Sequence, residues 1–352
     1  MVRSSPVCRE GSSPRGQLNA GRRLGFVAVA ACIAAAMVFG CRQTQEVAGK
    51  DARPEGKLEI HVINVGQGDA ILIRCPEGTH EILIDSGELN NRYPESATRF
   101  KAYLEAHQEK SNPIELVVAT HPHSDHLGSM KWVVENYTIG RYVDCGIPGE
   151  SALYRNLETA LTARGVLRKG AKEVTSEEMD FCPLADVSAR VLRPAGLEEV
   201  EDPNDWSVVV RVDYKNKSFL FVGDAEAAEE QLLTNDPSTK ALLDCDWLKA
   251  GHHASETSSK NAFLTAVTPK VTAVSCGERD RGSNKGFKHP RSKTLEHILG
   301  EAQAREGPAI EIDSYDSDTL SWKKGNLNSA VYITSAQGDL VFESDGGSIH
   351  KR

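Results

Sequence analysis

Thr120-His121-Pro122-His123-Ser124-Asp125-His126-Leu127-Gly128 decides how this 352-residue chain is read. It follows Ile114-Glu115-Leu116-Val117-Val118-Ala119, an apolar run that predicts a buried strand. Three of the eleven histidines and a carboxylate fall within six residues at that strand's end. His121 and His123, two apart in an extended loop, can point to the same side. Asp125 and His126 are neighbours and face different ways, so one ion cannot easily take all four. The economical arrangement is two ions, with His121 and His123 on one and Asp125 and His126 on the other. Imidazole and carboxylate together suit zinc, manganese or iron.

Two further segments fit this arrangement. Phe219-Leu220-Phe221-Val222-Gly223-Asp224 reads as a strand ending in an aspartate, where a carboxylate can bridge two ions. Ala250-Gly251-His252-His253-Ala254-Ser255 follows another strand, Asp246-Trp247-Leu248-Lys249, and offers paired histidines. Taken singly, a Gly-Asp pair is an ordinary turn and a His-His pair an ordinary polar loop. They gain weight from the first cluster.

Outward from these segments the pattern alternates between short strands and helices. Strands are expected at Leu58–Val65, Ala70–Arg74, Glu81–Asp85, Ile114–Ala119, around Arg141–Val143, and in a hairpin of Ser207–Tyr214 with Ser218–Val222. Further strands are expected at Lys270–Ser275 and near Ile310, Leu320, Val331 and Leu340. Helices are expected at Ser96–Gln108, Leu127–Asn136, Ala225–Leu233, Ser259–Val267 and Ser292–Leu299, while residues 150–200 are mixed. Strands dominate both halves, which predicts an α/β fold of two sheets with helices outside, as a single domain.

At the other end of the chain, Arg22-Arg23 precede an apolar run from Leu24 to Gly40 that stops at Cys41. The run is short for a transmembrane helix. Basic residues, a short apolar core and a small residue before a cysteine predict an export signal over residues 1–40, with Cys41 taking a lipid. The alternative is an uncleaved membrane anchor. Either way the remainder is exported, as a membrane-anchored lipoprotein or in the periplasm or medium. Residues 42–56 read as a polar tether, 57–345 as the domain and 346–352 as a tail.

The whole chain carries a formal net charge of −9. Residues 1–40 hold five arginines and one glutamate, so the remainder is at −13. Such an acidic chain is not a general nucleic-acid coat. Of the five cysteines after Cys41, none are spaced as CxxC, which argues against a thiolate zinc knuckle.

His121-x-His123-x-Asp125-His126, then Gly223-Asp224, then His252-His253 resembles the metallo-β-lactamase superfamily of dinuclear hydrolases. Val65-Gly66-Gln67-Gly68-Asp69-Ala70, Leu83-Ile84-Asp85-Ser86-Gly87 and His289-Pro290 narrow the resemblance to the ComEC-like hydrolase domains and related phosphorylcholine esterases. It spans about residues 58–345. The resemblance implies a metallo-β-lactamase-type αββα sandwich with two divalent ions, zinc or manganese, at one edge between the sheets. The sequence departs from the superfamily pattern at Pro203-Asn204-Asp205-Trp206-Ser207, where most members place a further histidine. ComEC-like sequences share this lack, which leaves the first site weaker or differently ligated.

The resemblance assigns His121, His123 and Asp224 to one ion, and Asp125, His126, Asp224 and one of the paired histidines to the other, with His253 taken over His252 on its His-Ala-Ser context. His252 is left to face the substrate as an acid or donor, with Asp125 and His289 also at the chemistry. Asp85, Asn204 and Ser207 are expected to brace the ligands. The stretch Arg279–Lys293 carries six basic residues and one acidic; within it Asn284, Lys285 and Lys288 are expected at a phosphate backbone. The expected activity is phosphodiester hydrolysis, with DNA as one candidate substrate. Hydrolysis of a phosphorylcholine ester, lactone or lactam is an alternative, as is a non-enzymatic envelope protein that retains the metals for binding.

Overall fold

Apolar residues alternate with apolar residues of the opposite face in most strands of this protein, so each sheet must be covered on both sides. The computed structural model describes residues 56–174, 186–301 and 306–352. The leader expected at residues 1–40, the lipid site at Cys41, nearly all of the tether and Cys182 lie outside the described residues. Among the described residues no helix is long and apolar enough to cross a membrane.

Sixteen strands are described: β1 Leu58–Val62, β2 Ile71–Arg74, β3 Glu81–Ile84, β4 Ile114–Ala119, β5 Ile139–Asp144, β6 Arg168–Gly170, β7 Val187–Leu192, β8 Val209–Tyr214, β9 Lys217–Phe221, β10 Trp247–Lys249, β11 Val271–Val274, β12 Glu306–Asp316, β13 Ser321–Ser329, β14 Val331–Ile333, β15 Leu340–Ser344 and β16 Ile349–Lys351. One sheet runs β16-β15-β1-β2-β3-β4-β5-β6, a second β14-β11-β10-β9-β8-β7, and β12 pairs with β13 alone. Each large sheet changes from antiparallel to parallel pairing along its width. β3-β4-β5-β6 are parallel in the first, and β9-β10-β11-β14 in the second.

The inner faces meet. Ile60, Ile71, Ile73, Ile82, Ile84 and Val118 of the first sheet share one buried cluster with Val210, Val212, Phe219, Phe221 and Trp247 of the second. The next residue along each strand faces outward. Leu72, Leu83 and Val117 pack under the helices Ser96–His107, Met130–Asn136 and Ala152–Arg164. Val209, Leu220, Leu248 and Val274 pack under Asn261–Val267 and Ser292–Glu301. This is the four-layer αββα sandwich, and its single domain agrees with the sequence pattern.

Several local expectations are revised. The helix expected over Leu127–Asn136 is two short helices, Ser124–Leu127 and Met130–Asn136, and between them the Gly128 N–H bonds to the Gly87 carbonyl at 2.8 Å instead of to the preceding turn. The strand expected near Leu320 begins at Ser321, and Leu320 itself is 75% exposed in the turn after β12, with φ of 52°. Residues 346–352 are no loose tail, since Ile349–Lys351 pairs with Phe342–Ser344 at the sheet edge. Cys145, Cys245 and Cys276 are buried and unbridged, and burial pushes the Cys145 thiol up to about 12.

Candidate metal centre

In a sheet of parallel strands, side chains beyond the carboxyl ends converge on one crevice. Here Asp85 follows β3, His121 follows β4, Asp224 follows β9 and His252-His253 follow β10. These segments are distant in sequence, and the two facing sheets bring them to one edge.

At the centre is a single oxygen, Asp224 Oδ2. His126 Nε2 lies 3.2 Å from it, His253 Nε2 3.4 Å, His252 Nε2 3.7 Å and His121 Nε2 3.9 Å. His253 Nε2 is also 3.5 Å from Asp125 Oδ2, and His121 Nε2 is 3.1 Å from His123 Nδ1. His121, His126, His253 and Asp224 are buried, while His123 is exposed at the mouth.

The far nitrogen of each ring explains why Nε2 faces inward. His126 Nδ1 is 2.7 Å from Asp85 Oδ2, and His253 Nδ1 is 2.9 Å from the Ser275 carbonyl and 3.3 Å from Asp69 Oδ1. Carboxylates and carbonyls only accept, so these Nδ1 atoms donate, and Nε2 is the atom turned toward Asp224 to coordinate an ion. Asp85 also accepts from the Thr120 N–H and hydroxyl, so it braces the loop as expected. Ser207 Oγ lies 3.5 Å from His121 Nδ1 and accepts from the Asp224 N–H at 3.0 Å. Asn204 donates to Glu226 at 3.0 Å.

Charge follows from this packing. Burial alone would raise the Asp224 carboxyl, but the imidazoles of His126, His253 and His252 outweigh it and hold the group well below its usual range. Conversely, burial would lower His126 and His253, and Asp224 with Asp85 or Asp69 pulls both well above. His121 and His289 are lowered well below the usual value, by burial first and then by the neighbouring rings.

Does this site fit a metal? Asp125, His126, Asp224 and His253 present ligand atoms all within 4.8 Å of one another. Among the described residues, His126 Nε2, His253 Nε2 and Asp224 Oδ1 are buried without a hydrogen-bond partner. Buried polar atoms are rarely left so. Two ligands of one tetrahedral zinc stand about 3.3 Å apart, given bond lengths near 2.0–2.1 Å. The 3.1–3.5 Å contacts above match that edge. The residues fit.

Comparison with known protein families matches residues 63–278 to the Metallo-beta-lactamase superfamily. The chain belongs to that superfamily. As a metallo-β-lactamase-fold protein it carries the donor set of a metal-dependent hydrolase. It is 27% identical over 252 residues to the "ComE operon protein 3" of Bacillus subtilis (strain 168), covering 68% of this chain and 30% of that protein. To "Recombination protein 2" of Haemophilus influenzae it is 26% identical over 252 residues, covering 72% of this chain and 28% of that protein. The chain thus spans under a third of these relatives' length. The metallo-beta-lactamase fold protein YhfI of Bacillus subtilis overlays at a TM-score of 0.42 with 12% identity, covering 82% of this chain and 99% of that one.

A cavity of about 620 Å³ opens over the centre, lined by Asp125, Asp224, His252 and His289, with Arg92 and Arg291 on its walls. Asn284, expected at the substrate, is used by the loop itself. Its amide donates to the Gly277 and His289 carbonyls at 2.7 Å, and its oxygen accepts from the His289 N–H. Lys285 is exposed outside the cavity lining, and Lys288 turns to the Tyr315 hydroxyl at 3.2 Å. Arg281 is taken by Glu278, and Arg279 by Asp280. The basic stretch therefore brings Arg291 rather than its lysines to the cavity.

Three contributors escaped the sequence reading. Lys249 is fully buried, with Nζ 2.7 Å from Asp69 Oδ2. Gln67 reaches His289, and Glu226 reaches His252 at 2.8 Å. Gly68 is required where it stands, with φ of 126°, since a Cβ there would meet the Asp125 carbonyl at 2.2 Å. Gln67, Gly68 and Asp69 form one loop, and their adjacency was the available signal.

Proposed function

We propose that this chain is a dinuclear metal-dependent phosphodiesterase, with nucleic acid the favoured substrate. The observation that carries the reading is the ring of imidazole nitrogens around Asp224 Oδ2, open to a cavity walled by Arg92, Arg291 and His289. Cationic and N–H groups beside such a metal centre would suit an anionic ester better than a neutral lactam. The name of one relative, Recombination protein 2, favours a nucleic-acid diester.

His121, His123, Asp125, His126, Asp224 and His253 would hold two divalent ions, zinc or manganese. When bound, such a pair supplies a water acidified toward neutral pH and neutralises charge on a substrate oxygen. The chain's own residues orient the ester. Gln67 Oε1 accepts from the Gly277 N–H at 3.2 Å, so its amide nitrogen must be the donor to His289 Nδ1, 3.2 Å away. His289 therefore carries its proton on Nε2, where it can donate to a phosphoryl or leaving oxygen. Arg291 stands at the cavity wall to meet the phosphate charge, while Arg92 on the same wall is paired with Glu88 at 3.2 Å. Export and lipid attachment at Cys41 would place this activity outside the cytoplasm, where released nucleic acid is available.

The test is a substrate panel on the purified chain loaded with zinc or manganese: bis(p-nitrophenyl) phosphate, single-stranded DNA and a chromogenic cephalosporin. Phosphodiester turnover, lost at least about a hundredfold in Asp125→Ala with an unchanged circular dichroism spectrum, is the expected result. Lactam turnover without phosphodiester turnover would overturn it.

A further inference from the structure

We infer that His252 is a metal ligand, completing the position shared by His121, His123 and Asp224, and that Glu226 is the residue that orients it. This rests on the reading of the site as holding two ions.

The division of ligands leads there. Asp125, His126, Asp224 and His253 form a complete set of four for one ion. The other position has His121 and His123, 3.1 Å apart, and the shared Asp224. It has three protein ligands, one fewer than the first set, and Pro203–Ser207 supplies no histidine. His252 Nε2 lies 3.7 Å from Asp224 Oδ2, slightly nearer than His121 at 3.9 Å.

The tautomer of His252 is set as in the other rings. Its Nδ1 is 2.8 Å from Glu226 Oε1 and 2.9 Å from Thr257 Oγ1. The carboxylate takes the Nδ1 proton and leaves the Nε2 lone pair toward Asp224, the carboxylate–histidine arrangement of metal sites. Glu226 is fixed in turn by the Asn204 amide at 3.0 Å and by its own N–H on Asp205 Oδ1 at 2.9 Å. Asn204 and Asp205 belong to the short helix Pro203–Trp206, and the next residue, Ser207, lies beside His121. His252 is thus docked, through Glu226, on the segment that backs His121.

The backbone supplies a second, independent observation. Adjacent side chains ordinarily diverge, to opposite faces of a strand or about 100° apart on a helix. His252 and His253 nevertheless both bring Nε2 within 3.7 Å of one carboxylate oxygen. They do so because His252, His253 and Ala254 all adopt positive φ, 43°, 53° and 59°. Three successive non-glycine residues in that region are costly, and such strain persists where the surroundings hold it for a purpose. Binding two ions from two adjacent residues is that purpose. It also removes His252 from the role of proton donor expected from the sequence, and leaves that role to His289.

Metal content tests this without any substrate. The purified wild-type, His252→Ala and Glu226→Gln chains are dialysed with zinc, counted by elemental mass spectrometry, and titrated with cobalt(II) by calorimetry and visible absorption. The wild type is expected to hold two ions, and His252→Ala one, with one of the two cobalt-binding steps gone. Glu226→Gln keeps the imidazole and should weaken that same step about ten- to a hundredfold; it carries the test if the alanine variant does not fold. Two ions at wild-type affinity in either variant, or one ion in the wild type that His252→Ala leaves unchanged, would overturn the inference. Loss of one ion in a chain that cleaves no phosphodiester would keep this inference and sink the proposed substrate instead.

Discussion

His126 Nδ1 stands 2.7 Å from Asp85 Oδ2, and that contact turns His126 Nε2 to within 3.2 Å of Asp224. Asp85 has φ of 60°, a region asparagine tolerates, so Asp85→Asn should keep the backbone while losing the charge that fixes the ring. Metal affinity at the Asp125–His126–His253–Asp224 position is expected to fall about ten- to a hundredfold. Calorimetric zinc titration of the folded variant checks this, and an unchanged dissociation constant would show that Asp85 only shapes the loop.

The Gln67–His289 pair carries a kinetic prediction. If His289 donates through Nε2, His289→Ala should lower kcat about a hundredfold with a smaller change in KM. Gln67→Leu removes the donor to His289 Nδ1 and leaves the ring free to adopt the other tautomer, so its kcat should fall between the two. Steady-state kinetics on a phosphodiester with a poor leaving group gives the comparison. A His289→Ala enzyme at wild-type kcat would remove the residue from the chemistry.

The candidate ligand loop was legible because His121, His123, Asp125 and His126 fall within six residues just after a strand, so local sequence carries their geometry. Asp224 and His253 became legible only in company, since each alone reads as a turn or a polar loop. Lys249 was not legible. An end-of-strand lysine ordinarily reaches water, and what buries it is Asp69, from a loop far away along the chain. The helix Ala152–Arg164 was missed although its signals were present. Ser151 caps it by accepting from the Tyr154 N–H, Tyr154, Leu157, Ala160 and Leu161 recur at helical spacing, and Gly165 ends it with positive φ. The basic stretch misled in the opposite way. Its arginines and lysines look unopposed in sequence, but acids from other elements, Glu95 and Asp313, come up against Arg281 and Arg279 in the fold.

Lys249 gives a stability prediction. Its Nζ also donates to the Ala250 carbonyl at 2.9 Å, and both it and Asp69 are buried. Removing one member of such a pair strands the other charge, at a cost of about 3–5 kcal/mol. Lys249→Met should therefore destabilise by about that amount in urea unfolding, and adding Asp69→Asn should recover part of it. A double variant no more stable than Lys249→Met would place the loss in packing rather than in charge.

Glu229 sets a pH dependence away from the metal ligands. It is buried with Asp205 near, and neither the Ser207 backbone nor Arg193 offsets that burial. Burial first, and then the Asp205 charge, raises its pKa well above the ordinary 4.5. The folded chain thus keeps this proton at pH values where the unfolded chain has released it. Stability from this group is full below about 4.5 and is lost as pH rises from there toward the raised value, by up to about 1.4 kcal/mol per pH unit. Glu229→Gln has no proton to lose at this position. Urea unfolding of both proteins from pH 5 to pH 8 should show the variant gaining on the wild type as pH rises from 5 toward the raised value. A stability difference that stays flat across that range would mean that Glu229 is ionised in the folded chain and finds a partner there.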